Sequence, residues 1–487
     1  MTGTGSLTEL IARGALDAYL TQNATFTWWK TRYNKHTMFA MESIKQVFQT
    51  QVAFGSEAQL TVNRMGDLIY FVYVAIELPG LEAVATEGER GMFPQYMTNS
   101  CAPCAKADQA AYMADASYDD SMSSVSESKV KEAKNRWLAS RYGSAPTLEC
   151  CEDVDDTPDN LCPELEGVWA HWTNNVGQHL IRTAKIVIGG TTIDTLHNDL
   201  LFIWEELSGR AGRRLQEMCL KRFTRAQLIC DSRQKRLLYV PLPFWFCQNS
   251  GSALPLASLQ FHGVQLHVDF SRLEHCVVTS GPNVKVVNVE TGSTLTANDL
   301  KASLEITYIY LEMAERDRFS NGTFEVLITQ HQSMYQQINT PTAQLSLTFN
   351  HPVSELLFAV RRQCHERCNN WYNFSSIDNR DPIQEVELFL NNQSRFGRKP
   401  GIYFRTCQPY QHHSNIPDAF IYTFSFALHP ESVEPSGSCN FSRVDHVDLK
   451  ITLAEGLARE QSTVMVFARS FNILRFKEGL TGLAFAN

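Results

Sequence analysis

The sequence has no apolar run long enough to cross a bilayer as a helix: the longest, LIYFVYVAI at 68–76, is about half of the ~20 residues required. No membrane span is expected. It has no excess of positive charge either. With 43 Lys and Arg against 52 Asp and Glu, the net charge of −9 argues against a coat that works by neutralising nucleic-acid phosphates. The N-terminal MTGTGSLTELIARGALDAYL lacks the apolar block of a secretory signal and carries Glu9, Arg13 and Asp17 in its place, so an intracellular product is expected. Thirteen cysteines cannot all pair within one chain, and over 487 residues they are too sparse for a disulfide-stapled secreted module. No phosphate loop, HExxH, Ser-His-Asp arrangement or pair of catalytic carboxylates stands at a supportive spacing, so neither an enzyme nor a cofactor is expected.

What is present is material for large cores, 44% apolar and 11% aromatic residues, in a chain two to four domains long. It is arranged as a repeat. Residues 239–270, YVPLPFWFCQNSGSALPLASLQFHGVQLHVDF, read as an aromatic strand, a Pro/Ser/Gly loop, an aromatic and an alternating strand; residues 422–453, YTFSFALHPESVEPSGSCNFSRVDHVDLKITL, repeat that plan. Val264, Leu266, Val268 and Phe270 share one strand face in the first copy, and Val447, Leu449, Ile451 and Leu453 do so in the second. Period-2 alternation of this kind marks antiparallel strands with one buried face. A second pair of segments extends the repeat: 60–78, with a turn at Met65-Gly66-Asp67, and 347–360, with a turn at His351-Pro352. These lie farther apart than the aromatic strands do, so the first half carries a long extra segment.

That excess falls in 81–170, a polar, acidic, Ser-rich stretch read as an insertion between strands, with a helix expected over 126–142 capped by Ser126. The sheet resumes at AKIVIGGTTID, 184–194, where Gly189-Gly190 signals a hairpin, and Leu200, Ile203, Trp204 and Leu207 then share a helix face. Strands at 303–313 and 463–476 close the two halves, with the charged link AERDRFSNG at 314–322 between them. Ahead of the first strand, Leu7, Leu10, Ile11, Gly14, Ala15 and Ala18 give a short amphipathic arm, docked on a domain or on a membrane, and 26–43 reads as an extended lead-in. The expected fold is all-β: two tandem jelly-roll (β-sandwich or barrel) domains with short helices and a long inserted loop in the first. The expected boundaries are an arm at 1–25, a first domain at 26–314 containing the 81–170 insertion, a linker at 315–322 and a second domain with its C-terminal tail at 323–487.

The stretches FTWWKTRYNKHTMFAMES, IVIGGTTID, YVPLPFWFCQNSGSALPLASLQFHGVQL, ERDRF, PSGSCNFSRVD and FNILRFKEGLTGLAFAN occur in this order along the chain. Together they resemble the major capsid proteins of the large icosahedral DNA viruses, the group that includes phycodnaviruses and iridoviruses. The resemblance implies a double jelly-roll subunit that forms homotrimers, pseudo-hexameric capsomers of an icosahedral outer shell, assembled in the host cytoplasm. It also implies capsomer–capsomer contacts, minor capsid and penton partners, an inner membrane nearby and no direct nucleic-acid contact. Two similar domains in one chain let three copies present six similar flanks, and closing that ring requires heterologous contacts between the first domain of one copy and the second of the next. An interface of that permanence is expected to bury more than about 2,000 Å². The alternatives are a carbohydrate-binding, lectin-like β-sandwich and a jelly-roll metalloenzyme.

Cys101 and Cys104 form CxxC, and Cys150, Cys151 and Cys162 follow in the same insertion: four thiolates could hold zinc, or the cysteines are free or locally bridged. Cys364, His365 and Cys368 read as buried strand-end residues rather than ligands, and His412-His413 as a solvated turn without an acidic partner. Arg210, Arg213, Arg214, Lys221, Arg222 and Arg225 lack aromatic interleaving and read as a solvated face or one that meets an acidic neighbour. Sequons at Asn23, Asn321, Asn373, Asn392 and Asn440 are expected to be unglycosylated without a secretory route.

Overall fold

The computed structural model of the chain describes residues 8, 11, 12, 21, 22, 35–85, 168–209, 215–222, 225–280, 284–376, 380–454, 457 and 461–485. It divides into two units, Met1–Phe39 and Ala40–Asn487. Most of the N-terminal arm, the expected helix at 126–142 and all five insertion cysteines (Cys101, Cys104, Cys150, Cys151 and Cys162) lie outside the described residues.

Among the described residues the first half supplies thirteen strands: β1 Phe39–Val47, β2 Glu57–Thr61, β3 Leu68–Leu78, β4 Leu81–Ala85, β5 Ala170–Trp172, β6 Ile181–Ile188, β7 Thr191–His197, β8 Arg236–Pro241, β9 Leu254–Pro255, β10 Val264–Phe270, β11 Val277–Thr279, β12 Val284–Asn288 and β13 Lys301–Leu311. The second half supplies ten: β14 Phe324–Ile338, β15 Thr342–Ser346, β16 Pro352–Arg362, β17 Ile383–Leu390, β18 Gln393–Pro400, β19 Tyr422–Ser425, β20 Cys439–Asn440, β21 Val447–Leu453, β22 Ser462–Lys477 and β23 Leu480–Leu483. Their pairing shows the duplication. The first half forms one sheet in the order β1-β13-β3-β8 and another in the order β2-β10-β6-β7; the second forms β14-β22-β16-β19 and β15-β21-β17-β18. Each strand of these four sheet orders has its counterpart at the same place in the other half. The named pairs are antiparallel, and no strand of one half pairs with a strand of the other among the described residues.

The alternating residues explain why these segments sit where they do. β10 and β21 bury every second residue, Val264 to Phe270 and Val447 to Leu453, with half-exposed residues between, as period-2 patterning requires. The central strands β3 and β16 carry longer apolar runs because both neighbours and both faces cover them; Leu356 to Val360 is buried without interruption. The β6–β7 hairpin turns on Gly189 and Gly190 at φ +58° and +82°, and the β17–β18 hairpin turns on Asn391 and Asn392 at +49° and +62°. Both pairs suit a two-residue turn that needs positive φ twice.

Three expectations change. The aromatic stretch after Tyr239 is not one continuous strand: β8 ends at Pro241, where Pro241 and Pro243 offer no amide for a ladder, and Trp245–Gln248 forms a helical turn that puts Phe244, Trp245 and Phe246 in the core. The segment at 81–170 does not start as a loop, because 81–85 is a strand paired with β12. The charged link is a helix, Met313–Asn321, closed by Gly322.

Candidate functional site

The residues with the most perturbed chemistry gather where the two halves of the chain meet. β14 is the edge strand of its sheet, and its free edge lies against β7, the edge strand of the first half. The His331 amide donates to Asp194 Oδ1 at 2.8 Å and its ring nitrogen Nδ1 lies 3.0 Å from Oδ2. The Gln330 side chain donates to the Ile193 carbonyl at 2.5 Å, and Ser333 Oγ pairs with His197 Nε2 at 3.0 Å. The helix Asn198–Ser208 begins immediately after β7 and brings Asp199 into the seam. There Arg361 donates to Asp199 Oδ1 at 2.8 Å and the Tyr335 hydroxyl donates to Oδ2 at 3.3 Å. The negative charge pushes the Tyr335 phenol further up from a value that burial already raises well above its usual range.

A loop following β16 plugs the first half. It carries Asn369 at φ +56°, whose side-chain amide donates to the carbonyls of Glu274 and Val277, both at 2.8 Å. Trp371 stacks on His179 with centroids 4.6 Å apart and donates its indole N–H to the His275 carbonyl at 2.9 Å. Tyr372 stacks on Phe202 at 4.3 Å. Burial lowers the pKa of His179, reinforced by Arg361 and His275, and burial also lowers His275; it carries His365, whose Nδ1 pairs with the Asn373 carbonyl, down to about 4. The plug is therefore built around neutral imidazoles.

The third cluster overturns the reading of His413 as a solvated turn. Its ring is wholly buried between Glu355 and Glu431, with Nε2 3.2 Å from Glu355 Oε2 and Nδ1 3.2 Å from Glu431 Oε1. Burial alone would lower its pKa; the two carboxylates outweigh burial and raise it to about 9. Glu355, fully buried on β16, is held below the ordinary glutamate range because His413 and Arg469 outweigh its own burial. Arg469, from β22, lies 3.5 Å from Glu355, donates to the Pro430 carbonyl at 2.6 Å and to Gln248 Oε1 at 2.9 Å, and stacks 4.2 Å from the Trp204 ring centre. Gln248 and Trp204 belong to the first half, so this charge network also ties the halves together. No local pattern announces it, since its members come from four separate segments.

The other candidates resolve more simply. Lys221 pairs with Glu206, and Arg222 lies between Glu217 and Asp231 at 2.8 and 2.5 Å, so for these two cations the acidic neighbour is in the same chain. Arg210, Arg213, Arg214 and the Arg225 side chain lie outside the described residues. Cys364 is disulfide-bonded, and among the described residues no group of His, Cys, Asp and Glu is placed to hold a metal ion. A cleft of about 380 Å³ in the first half is lined by Gln178, Leu201, Trp204, Glu205 and Pro243. What the arrangement does chemically is hold two domains in a fixed relation.

A chain that builds one two-sheet sandwich and then repeats it strand for strand is a double jelly-roll protein, and its neighbours among solved structures share that fold. PBCV-1 VP54, fitted into a reconstruction of the virophage Sputnik, superimposes with a TM-score of 0.64 at 23% identity, over 95% of this chain and 100% of its own. The Faustovirus major capsid protein reaches 0.64 at 12% identity, over 97% and 96%. The family model described as large eukaryotic DNA virus major capsid protein matches residues 315–482, and that of the major capsid protein N-terminus matches 27–99 and 151–312. The major capsid protein of Pyramimonas orientalis virus is 29% identical over 510 residues, and that of Phaeocystis pouchetii virus 26% over 601; each alignment covers 99% of this chain and 100% of the relative. The chain belongs to the major capsid protein family of large eukaryotic DNA viruses. It is a structural protein of the virion shell.

Proposed function

We propose that three copies of this chain close into a pseudo-hexagonal capsomer and that these capsomers tile an icosahedral shell. The observation that carries the reading is the matching strand order of the two halves, which gives one chain two similar flanks and three chains six. The polar seam and the Trp371 plug support it by fixing the two sandwiches as one body, so that the sixfold-like spacing is set within each subunit. In this reading an arm at 1–25 precedes a first jelly roll at 26–314, a connection at 315–322 and a second jelly roll at 323–487. Within the particle the capsomers contact one another, minor capsid proteins and penton proteins, with an inner membrane nearby and no direct contact to the genome. The product of the protein is geometry and not turnover.

Family membership favours this reading over a carbohydrate-binding sandwich. Native mass spectrometry of the purified chain tests it. The expected species has three times the chain mass; a monodisperse monomer at micromolar concentration contradicts the proposal.

A further inference from the structure

The internal repeat supplies a template for the contact between subunits. Within one chain the first half offers the edge strand β7 and the helix Asn198–Ser208, and the second half receives them on the edge strand β14. The counterpart of β7 in the second half is β18, which follows an equivalent two-residue hairpin turn, and the counterpart of the Asn198–Ser208 helix is the helical stretch 401–412 that directly follows β18. The counterpart of β14 in the first half is β1.

Equivalent positions differ in one respect: the pair that meets inside the chain is covered, and the pair that does not is bare. Ile193, Asp194 and Leu196 of β7 are buried, whereas β18 exposes six of its eight residues. Asp199, Leu200 and Phe202 of the first helix are buried, whereas Ile402 and Tyr410 of the second are 51% and 78% exposed and lie two helical turns apart on one stripe. Leu428, whose carbonyl meets His412 at the end of that stretch, is 65% exposed. On β1, where β14 is partly covered, Met41 is 47% and Val47 72% exposed. Ile402 and Tyr410 are bare on an element whose counterpart in the first half is buried, and large apolar side chains bare in this way mark a surface that a partner covers.

We infer that the flank formed by β18 and residues 401–412, with Ile402 and Tyr410 at its centre, docks on β1 of a second copy of this chain around Met41 and Val47, as β7 and its helix dock on β14 within the chain. The inference rests on the capsomer reading and assigns its heterologous contact to named residues. Three such contacts alternate with three internal ones and close the ring.

The test combines two measurements on the full-length protein. The exposed-site variants Met41→Asp and Ile402→Asp should each keep the wild-type circular dichroism spectrum and weaken self-association roughly 30-fold or more, the effect of losing a hot-spot contact. In the wild type, an amine-reactive cross-linker followed by mass spectrometry should link Lys45 to Lys399 in the dimer and trimer bands of a denaturing gel and not in the monomer band. The cross-link decides the matter if a variant fails to fold. A wild-type trimer with no 45–399 link, or with both folded variants still trimeric, overturns the inference and leaves the capsomer reading standing. A wild type that never associates overturns the capsomer reading and the inference with it.

Discussion

His413 and the imidazoles around Trp371 make opposite demands on pH. Folding raises the His413 pKa from an ordinary 6.5 to about 9, so its contribution is fully present below 6.5 and is lost as pH rises through about 9. By linkage that contribution is roughly 3 kcal/mol. Thermal unfolding followed from pH 7 to pH 10 should show a falling midpoint over this window, and His413→Ala should remove the slope. Because that variant leaves Glu355 buried with only Arg469 for charge compensation, it should also cost about 3–5 kcal/mol near neutrality. His179, His275 and His365 go the other way. The unfolded chain takes up protons near 6.5 and the folded chain resists them, so stability falls as pH drops through 6.5 and goes on falling to about 4, where His365 is protonated in place. An unfolding midpoint that is unchanged between pH 7.5 and pH 5 would contradict this account of the plug.

Among the elements, the hairpins give the sharpest contrast. A side chain at Gly189 would need φ +58° and would put its Cβ 2.5 Å from the His262 ring, so Gly189→Val should destabilise by about 2 kcal/mol or more in chemical denaturation, from the strained backbone alone. Asn391→Gly at the equivalent turn keeps a backbone that both residues tolerate but loses the bond that the His446 amide donates to Asn391 Oδ1 at 3.0 Å, so it should cost only about 1 kcal/mol. The Gly189-Gly190 hairpin, the alternating strands β10 and β21 and the helix face of Leu200, Ile203 and Leu207 were legible because a local signal in a short window determines each. The strand at 81–85 was not legible, since its partner β12 lies some two hundred residues on and its own five residues show no alternation. The run from Tyr239 to Phe246 misled because aromatic content argues for strand while two prolines, at 241 and 243, argue for its end. Least legible was the buried network of Glu355, His413, Glu431 and Arg469: a pair of histidines in a polar stretch carries no mark of carboxylates brought to it by tertiary folding.

For the whole molecule, the seam decides whether two sandwiches behave as one body. Trp371 joins them through a stack on His179 and a hydrogen bond to the His275 carbonyl, and within its own half it makes a cation–π contact with Arg361 at 5.2 Å. Trp371→Ala should cost about 3 kcal/mol or more and split the single calorimetric transition expected of the wild type into two, one for each half. The central claim is larger: a duplicated sandwich lets a threefold assembly take a six-sided outline. A three-dimensional electron microscopy reconstruction of the purified assembled protein, computed without imposed symmetry, tests it most directly. The account predicts a threefold particle with six lobes of nearly equal size arranged around the axis. A particle of twofold symmetry, or three subunits whose two halves cannot be superimposed as similar sandwiches, would contradict it.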